Sequence, residues 1–147
     1  MKEIVYRNSS LYARHLIGRA RHLMLLARQK ELSPYQISPG QFNVLFILHK
    51  LGHEATLAEL ASYCYRGISN LSTQLTRMEK DGLITKFREA PKSTLLKFKI
   101  TKKGLNCYRK NNKVTSAKVI MSVLSEEERQ KLISILKKII TKAESSL

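Results

Sequence analysis

Acidic residues are scarce in this chain: 11 Asp and Glu stand against 27 Lys and Arg in 147 residues, a formal net charge of +16, with a pI near 10.1. A protein so basic stays cationic at any cellular pH, which suits nucleic acid, an anionic membrane surface or an acidic partner. Long apolar runs are also missing. None exceeds five residues, as in Val44 to Leu48, far short of the roughly 20 needed to span a bilayer. The start, Met1-Lys2-Glu3-Ile4-Val5-Tyr6-Arg7, lacks the apolar stretch of a secretion signal, and the expectation is a cytoplasmic protein with no membrane partner. Cysteine is limited to Cys64 and Cys107, in no metal-ligand spacing, so both read as reduced, structural thiols. There is no glycine-rich loop of the P-loop or dinucleotide type. With so few acids and no convergent site the chain does not read as an enzyme, and no cofactor is implied. What it does have is 43% apolar residues, enough for one core, hence one domain or one domain with a dimerisation extension.

The pattern is mostly helical. From about Asn8 to Lys30, Tyr12, Leu16, Leu23 and Leu26 or Ala27 recur on one face, as an amphipathic helix requires. Arg7, Arg14, Arg21 and Arg28 fall on its other face, to be read as a solvated row or as a phosphate or acidic-partner contact. After Ser33-Pro34 the chain turns. Ser38-Pro39-Gly40-Gln41 then combines an N-cap serine, a proline at the first helical position and a glutamine three after the cap. It opens a helix through Phe42, Leu45, Phe46 and Leu48 that stops at Gly52.

A second capping box, Thr56-Leu57-Ala58-Glu59, opens a short helix that Tyr63 to Gly67 breaks before a third begins near Ile68, a helix-turn-helix candidate. In that third helix Leu71, Leu75 and Met78 repeat at i, i+4 and i+7 and must face a core. The opposite face then presents Ser69, Ser72, Thr73, Thr76, Arg77 and Lys80, with Asn70 and Gln74 at its margins. Hydroxyl and amide groups that donate and accept, flanked by cations and free of acids, are what base edges and phosphates require; they are also ordinary surface residues. Asp81-Gly82 ends the helix. Leu83 to Arg88 and Leu95 to Thr101 read as two strands around a tip at Ala90-Pro91-Lys92-Ser93. One face of this hairpin is expected to cover the core, leaving Lys86, Arg88, Lys92, Lys97 and Lys99 in water as a cationic ribbon, although lysines also protect an ordinary edge strand. Between Arg66 and Lys118 there are 14 Lys and Arg against Glu79, Asp81 and Glu89, a net of +11. A duplex phosphate backbone is the commonest ligand for such a field.

Several stretches together resemble the MarR (multiple-antibiotic-resistance regulator) family of winged-helix transcription factors. They are Ile37-Ser38-Pro39-Gly40-Gln41-Phe42-Asn43-Val44-Leu45, Thr56-Leu57-Ala58-Glu59-Leu60-Ala61, Ser72 with Arg77-Met78-Glu79-Lys80-Asp81-Gly82-Leu83-Ile84, and Ile100-Thr101-Lys102-Lys103-Gly104. The likeness implies a mostly α fold with a small β-hairpin: a winged helix-turn-helix over residues 35–101, with dimerisation helices at 1–34 and 102–147. It implies a homodimer on double-stranded DNA, a recognition helix near Ile68 to Lys80 in the major groove, and a wing in the adjacent minor groove. The wing of that family usually carries Asp-Arg-Arg or a close variant. Here Lys92-Ser93-Thr94 stand instead, so the acid that fixes a wing arginine is absent and Arg88 and Lys92 are the nearest cations. The expectation is a sequence-specific regulator, a repressor at a pseudo-palindromic operator; the alternative is a structural protein that coats nucleic acid without sequence choice. A small-molecule effector of unspecified identity would fall between the DNA-binding lobe and the dimer helices, where Tyr12, His15, Arg19 and Phe42 could contribute.

The C-terminal third points to dimerisation independently. Thr101 to about Val123 can run as a long helix, weakened by Asn111-Asn112, and Ser125-Glu126-Glu127-Glu128 is a third capping box. The last helix carries a stripe of Leu132, Ile135, Leu136, Ile139 and Ile140, broadened by Ile133. It can pack within the monomer or, in the preferred reading, on the Tyr12 and Leu16 face of a second subunit. Other motifs carry less. Ser134-Ile135-Leu136-Lys137 matches S-x-x-K without its partner motifs. His49 and His53 are four apart, but a helix ending near Gly52 would remove the shared face a metal pair needs. His15 and His22 are seven apart, and no metal site is assigned to them. Cys64 follows the first helix of the helix-turn-helix, away from the dimer end where peroxide sensors resembling this chain carry their thiol. Arg66 beside it could lower its pKa.

Overall fold

The computed structural model describes residues 7–65, 67–113 and 115–147. Met1 to Tyr6, where a secretion signal would start, and Arg66, the neighbour of Cys64 in sequence, lie outside the described residues. The chain forms two compact units, one from Leu25 to Lys113 and one combining residues up to Met24 with those beyond Lys113. The boundaries between them fall inside α1 (Ser9–Leu32) and after α5 (Lys102–Asn111). The reason is packing: Leu32 at the end of α1 is buried, and Tyr108 of α5 stacks on Phe42 with ring centroids 5.8 Å apart.

In the unit from Leu25 to Lys113 a 3-10 turn (Ser33–Tyr35) leads to α2 (Pro39–Lys50). Its capping box is complete: the Ser38 hydroxyl accepts from the Gln41 N–H, and the Gln41 side chain accepts from the Ser38 N–H. At α3 (Leu57–Cys64) Thr56 and Glu59 repeat the arrangement. The Thr56 backbone and hydroxyl donors hold the Glu59 carboxyl below its ordinary pKa. Helix α4 (Ile68–Lys80) buries Leu71, Leu75 and Met78 as its spacing requires. These join Leu45, Leu48, Leu60 and Ile84 in one core. Truncating one such leucine to alanine costs about 2–5 kcal/mol.

The expected hairpin is part of a three-stranded antiparallel sheet. β2 (Ile84–Phe87) and β3 (Lys97–Ile100) pair from Ile84 with Ile100 to Phe87 with Lys97, and β1 (Glu54–Thr56) lines the other edge of β3. The strands are shorter than expected because pairing stops at Phe87 and Lys97, leaving residues 88–96 as the wing tip. At the wing base the Thr101 hydroxyl donates to the Gly82 carbonyl at 2.6 Å and accepts from the Gly104 N–H that opens α5. A β-carbon on Gly104 would lie 2.1 Å from the Leu83 carbonyl oxygen, so only glycine lets α5 approach the turn after α4 this closely.

The second unit joins the first part of α1 to α6 (Thr115–Met121) and α7 (Glu126–Glu144). The single long helix expected from Thr101 to Val123 is broken after Asn111. The Asn111 amide is buried and turns back to donate to the Cys107 carbonyl at 2.9 Å, and Asn112 and Lys113 leave the helix. Ser125 and Glu128 close the third capping box. The Arg129 guanidinium donates to the Met121 and Leu124 carbonyls at 3.3 and 2.8 Å, tying the end of α6 to α7.

Candidate nucleic-acid interface

Burial of Leu71, Leu75 and Met78 fixes which face of α4 meets water. Ser69, Asn70, Ser72, Thr73, Thr76, Arg77 and Lys80 are exposed on it, and Gln74 is half-buried. The first turn contains no acid, and the N-cap is Gly67, without a side-chain cap. The one acid of the helix, Glu79, pairs with Lys86 at 3.3 Å. The Thr73 hydroxyl donates to the Ser69 carbonyl at 3.2 Å and that of Thr76 to Ser72 at 3.0 Å. Each hydroxyl proton is thereby used internally while oxygen lone pairs and a methyl group remain outward. Such a side chain suits base amino groups and the thymine methyl.

Asn70, Thr73, Gln74 and Arg77 line an open groove of about 660 Å³ together with Ser38, Gln41, Tyr65 and Gly67. Sequence reasoning missed Ser38, Gln41 and Tyr65, because the first two were explained as a helix cap and the third as a helix break. The signal at Tyr65 was a large aromatic just past a helix end, where glycine or asparagine is the usual choice.

The wing spends much of its charge on itself. Lys97, expected in water, is half-buried and ion-paired to Glu54 at 3.4 Å and to Glu89. The hydrogen bond to Glu89 is the main cause holding its pKa above the ordinary lysine value. Arg88 donates to the Ser93 carbonyl at 2.7 Å, so a main-chain oxygen stands where the resemblance led one to look for an acid. Lys86 is held by Glu79, whereas Lys92 and Lys99 are exposed with no ion pair among the described residues. The effect of these pairs is to aim side chains and trim the field.

Of the residues expected at a dimer contact, Tyr12, Leu16, Ile135, Ile139 and Ile140 are exposed, and Leu132 and Leu136 are half-buried. Leu23 of the expected α1 stripe is exposed as well, and Leu11 and Ile17 widen the apolar surface beyond it. Arg28 departs from its row: its guanidinium lies 4.4 Å over the Phe42 ring and donates to Glu31 and to the Asn111 carbonyl. Phe42 is therefore buried beneath it and beside Tyr108, not open to a ligand, while Tyr12 and Arg19 are exposed on α1.

His49 and His53, expected to be separated by the helix end, meet. The positive φ of 82° at His53 turns its ring back so that Nε2 lies 3.3 Å from His49 Nδ1 and the rings stack. Burial, followed by the charges of His53, Lys50 and Arg109, lowers the His49 pKa. Two donors beside two permanent cations make a poor cation site, and no group of three or more His, Cys, Asp or Glu suited to a metal occurs among the described residues. Cys64 is buried, and burial raises the Cys107 pKa despite a contact from the Asn111 amide.

The comparisons with known proteins agree with this geometry. Residues 37–90 match the family model described as "MarR family". AbsC, a MarR family transcriptional regulator from Streptomyces coelicolor, superposes with a TM-score of 0.84 at 22% identity, covering 99% of each chain. A mutant MarR from E. coli complexed with operator DNA gives 0.82 at 19% identity, covering 92% of this chain and 99% of that one. The organohalide-sensing regulator RdhR bound to 2,4-dichlorophenol gives 0.84 at 24% identity over 96% and 89%. No curated protein matches the sequence significantly. No described helix is long and apolar enough to cross a membrane. The match to the MarR family model thus covers the helix-turn-helix and the start of the wing, and the chain shares the winged helix-turn-helix fold of these regulators along almost its whole length.

Proposed function

We propose that this protein is a homodimeric, sequence-specific DNA-binding regulator, a repressor that occupies a pseudo-palindromic operator and so blocks promoter access. The observation that carries the reading is the exposed face of α4, which offers hydroxyl, amide and cationic groups with a single acid already paired. Ser69, Asn70, Ser72, Thr73, Gln74, Arg77 and Lys80 are its reading and phosphate contacts, and Lys86, Arg88 and Lys92 are the cations of the wing. Tyr12 and Leu16 together with Leu132, Ile135, Leu136, Ile139 and Ile140 make the contact between subunits. The operator complex of the E. coli MarR mutant supports duplex DNA as the partner. The 2,4-dichlorophenol complex of RdhR supports a small-molecule effector, whose identity no residue here specifies.

Genomic fragments selected on the protein and then footprinted supply the operator, and its affinity is compared with that of random duplex at fixed salt. A regulator of this kind prefers its operator by about 10³-fold or more. A ratio near one favours instead a protein that coats nucleic acid without sequence choice.

A further inference from the structure

The groove beside α4 is rimmed by one side chain that the reading above leaves without a task. Tyr65 follows α3 directly and is 88% exposed. Its phenol has no partner among the described residues. Its backbone is left-handed, with φ 51° and ψ 43°, a conformation that glycine adopts without the steric cost a tyrosine pays. A large aromatic group held in water on such a backbone is a poor choice for folding alone. It shares the groove with Asn70, Thr73, Gln74 and Arg77, so anything seated against those residues meets the phenol as well.

We propose that Tyr65 is a DNA-positioning residue, its phenol donating a hydrogen bond to a backbone phosphate of the strand that lies in this groove. The inference rests on the regulator reading. Phosphate oxygens only accept, and a phenol can donate. Tyr65 precedes the reading helix instead of standing on its outward face, and flanking groups of that kind set the register of a helix on the duplex while carrying no base information. A neutral donor also releases no counterion, which separates its signature from that of a lysine or arginine.

Binding of Tyr65→Phe and Tyr65→Gly is measured on the selected operator and on random duplex across a salt series, with melting temperatures alongside. Loss of the hydroxyl weakens both DNAs alike by about tenfold, as expected for a hydrogen bond to a charged group. The operator-to-random ratio and the salt slope stay at their wild-type values. Tyr65→Gly loses at least as much affinity while its melting temperature rises by a few degrees, because the left-handed backbone is relieved. A Phe variant within about twofold of wild type on both DNAs overturns the contact. So does a loss confined to the operator, which would make Tyr65 a base reader, or a Gly variant that binds poorly and melts lower. A wild-type chain that binds neither DNA overturns the regulator reading itself, and this contact with it.

Discussion

The two compact units differ in how completely each satisfies its own apolar surface. Every buried residue of the described chain falls between Leu32 and Asn111, inside the unit that carries α4 and the wing. The described residues of the other unit include none, although Leu11, Tyr12, Leu16, Ile17, Ile135, Ile139 and Ile140 all belong to it. A unit whose helices are capped by Ser38, Thr56 and Thr101 and that has a leucine core can hold itself together. Helices with apolar surface on several sides need something else to cover it. The contrast is the physical basis for assigning DNA contact to the first unit and self-association to the second.

The sharpest way to break that contrast is to remove α7. A chain ending at Ser125 is expected to lose the dimer in sedimentation velocity and to bind the operator at least about a hundredfold more weakly, since two linked half-site contacts become one. A monodisperse dimer of the truncated chain would contradict it. Next in size, Leu75→Ala in the core of the DNA-binding unit should lower the unfolding free energy by about 2–5 kcal/mol. That loss should not depend on protein concentration. Ile139→Ala, by contrast, should act through assembly and show its deficit most at low concentration in denaturant titrations.

The same contrast can be drawn inside the DNA-binding unit, between α4 and the wing. Thr73→Ala or Gln74→Ala should cost on the order of 1–3 kcal/mol on the operator and leave random-duplex binding nearly unchanged. Arg88→Ala and Lys92→Ala should weaken both DNAs and reduce the log K against log salt slope by about one each. Lys97→Ala should move that slope less, because Glu54 and Glu89 already neutralise the ammonium. An Arg88 variant that loses only operator preference would mean that the Ser93 carbonyl aims it for groove reading. The smallest expected effect is on pH dependence. His49 has a lowered pKa in the fold, so its contribution to stability is complete above its unfolded value near 6.5 and is lost as pH falls through the folded one. His49→Gln should flatten the decline in melting temperature over that acidic window.

Much of this arrangement was legible in the sequence, because it rests on local rules. The Ser38, Thr56 and Ser125 caps, the buried Leu71, Leu75 and Met78 stripe, and the alternation at Leu96, Phe98 and Ile100 each need only neighbouring residues. What was hidden depends on distant partners. Glu54, Ala55 and Thr56 are too few to show an alternating pattern and become a strand only because β3 offers an edge. Lys97 looks like a solvated ribbon residue until the sheet brings Glu54 beside it. The break after Asn111 was visible as weak propensity, but its decisive cause is a buried amide turned onto Cys107. His49 and His53 meet through a positive φ that a helix-end rule would assign to glycine alone.

The measurement that tests the central claim most directly is operator binding after five base pairs, about half a helical turn, are inserted between the half-sites. Two α4 helices related by a twofold axis read half-sites about one turn, ~10 bp, apart. A rigid homodimer cannot follow the second half-site to the opposite face of the duplex. The account predicts that affinity for the spaced site falls toward the random-duplex value while a full-turn insertion restores part of it. Equal affinity for the native and half-turn-spaced sites would contradict a symmetric dimer reading a palindrome.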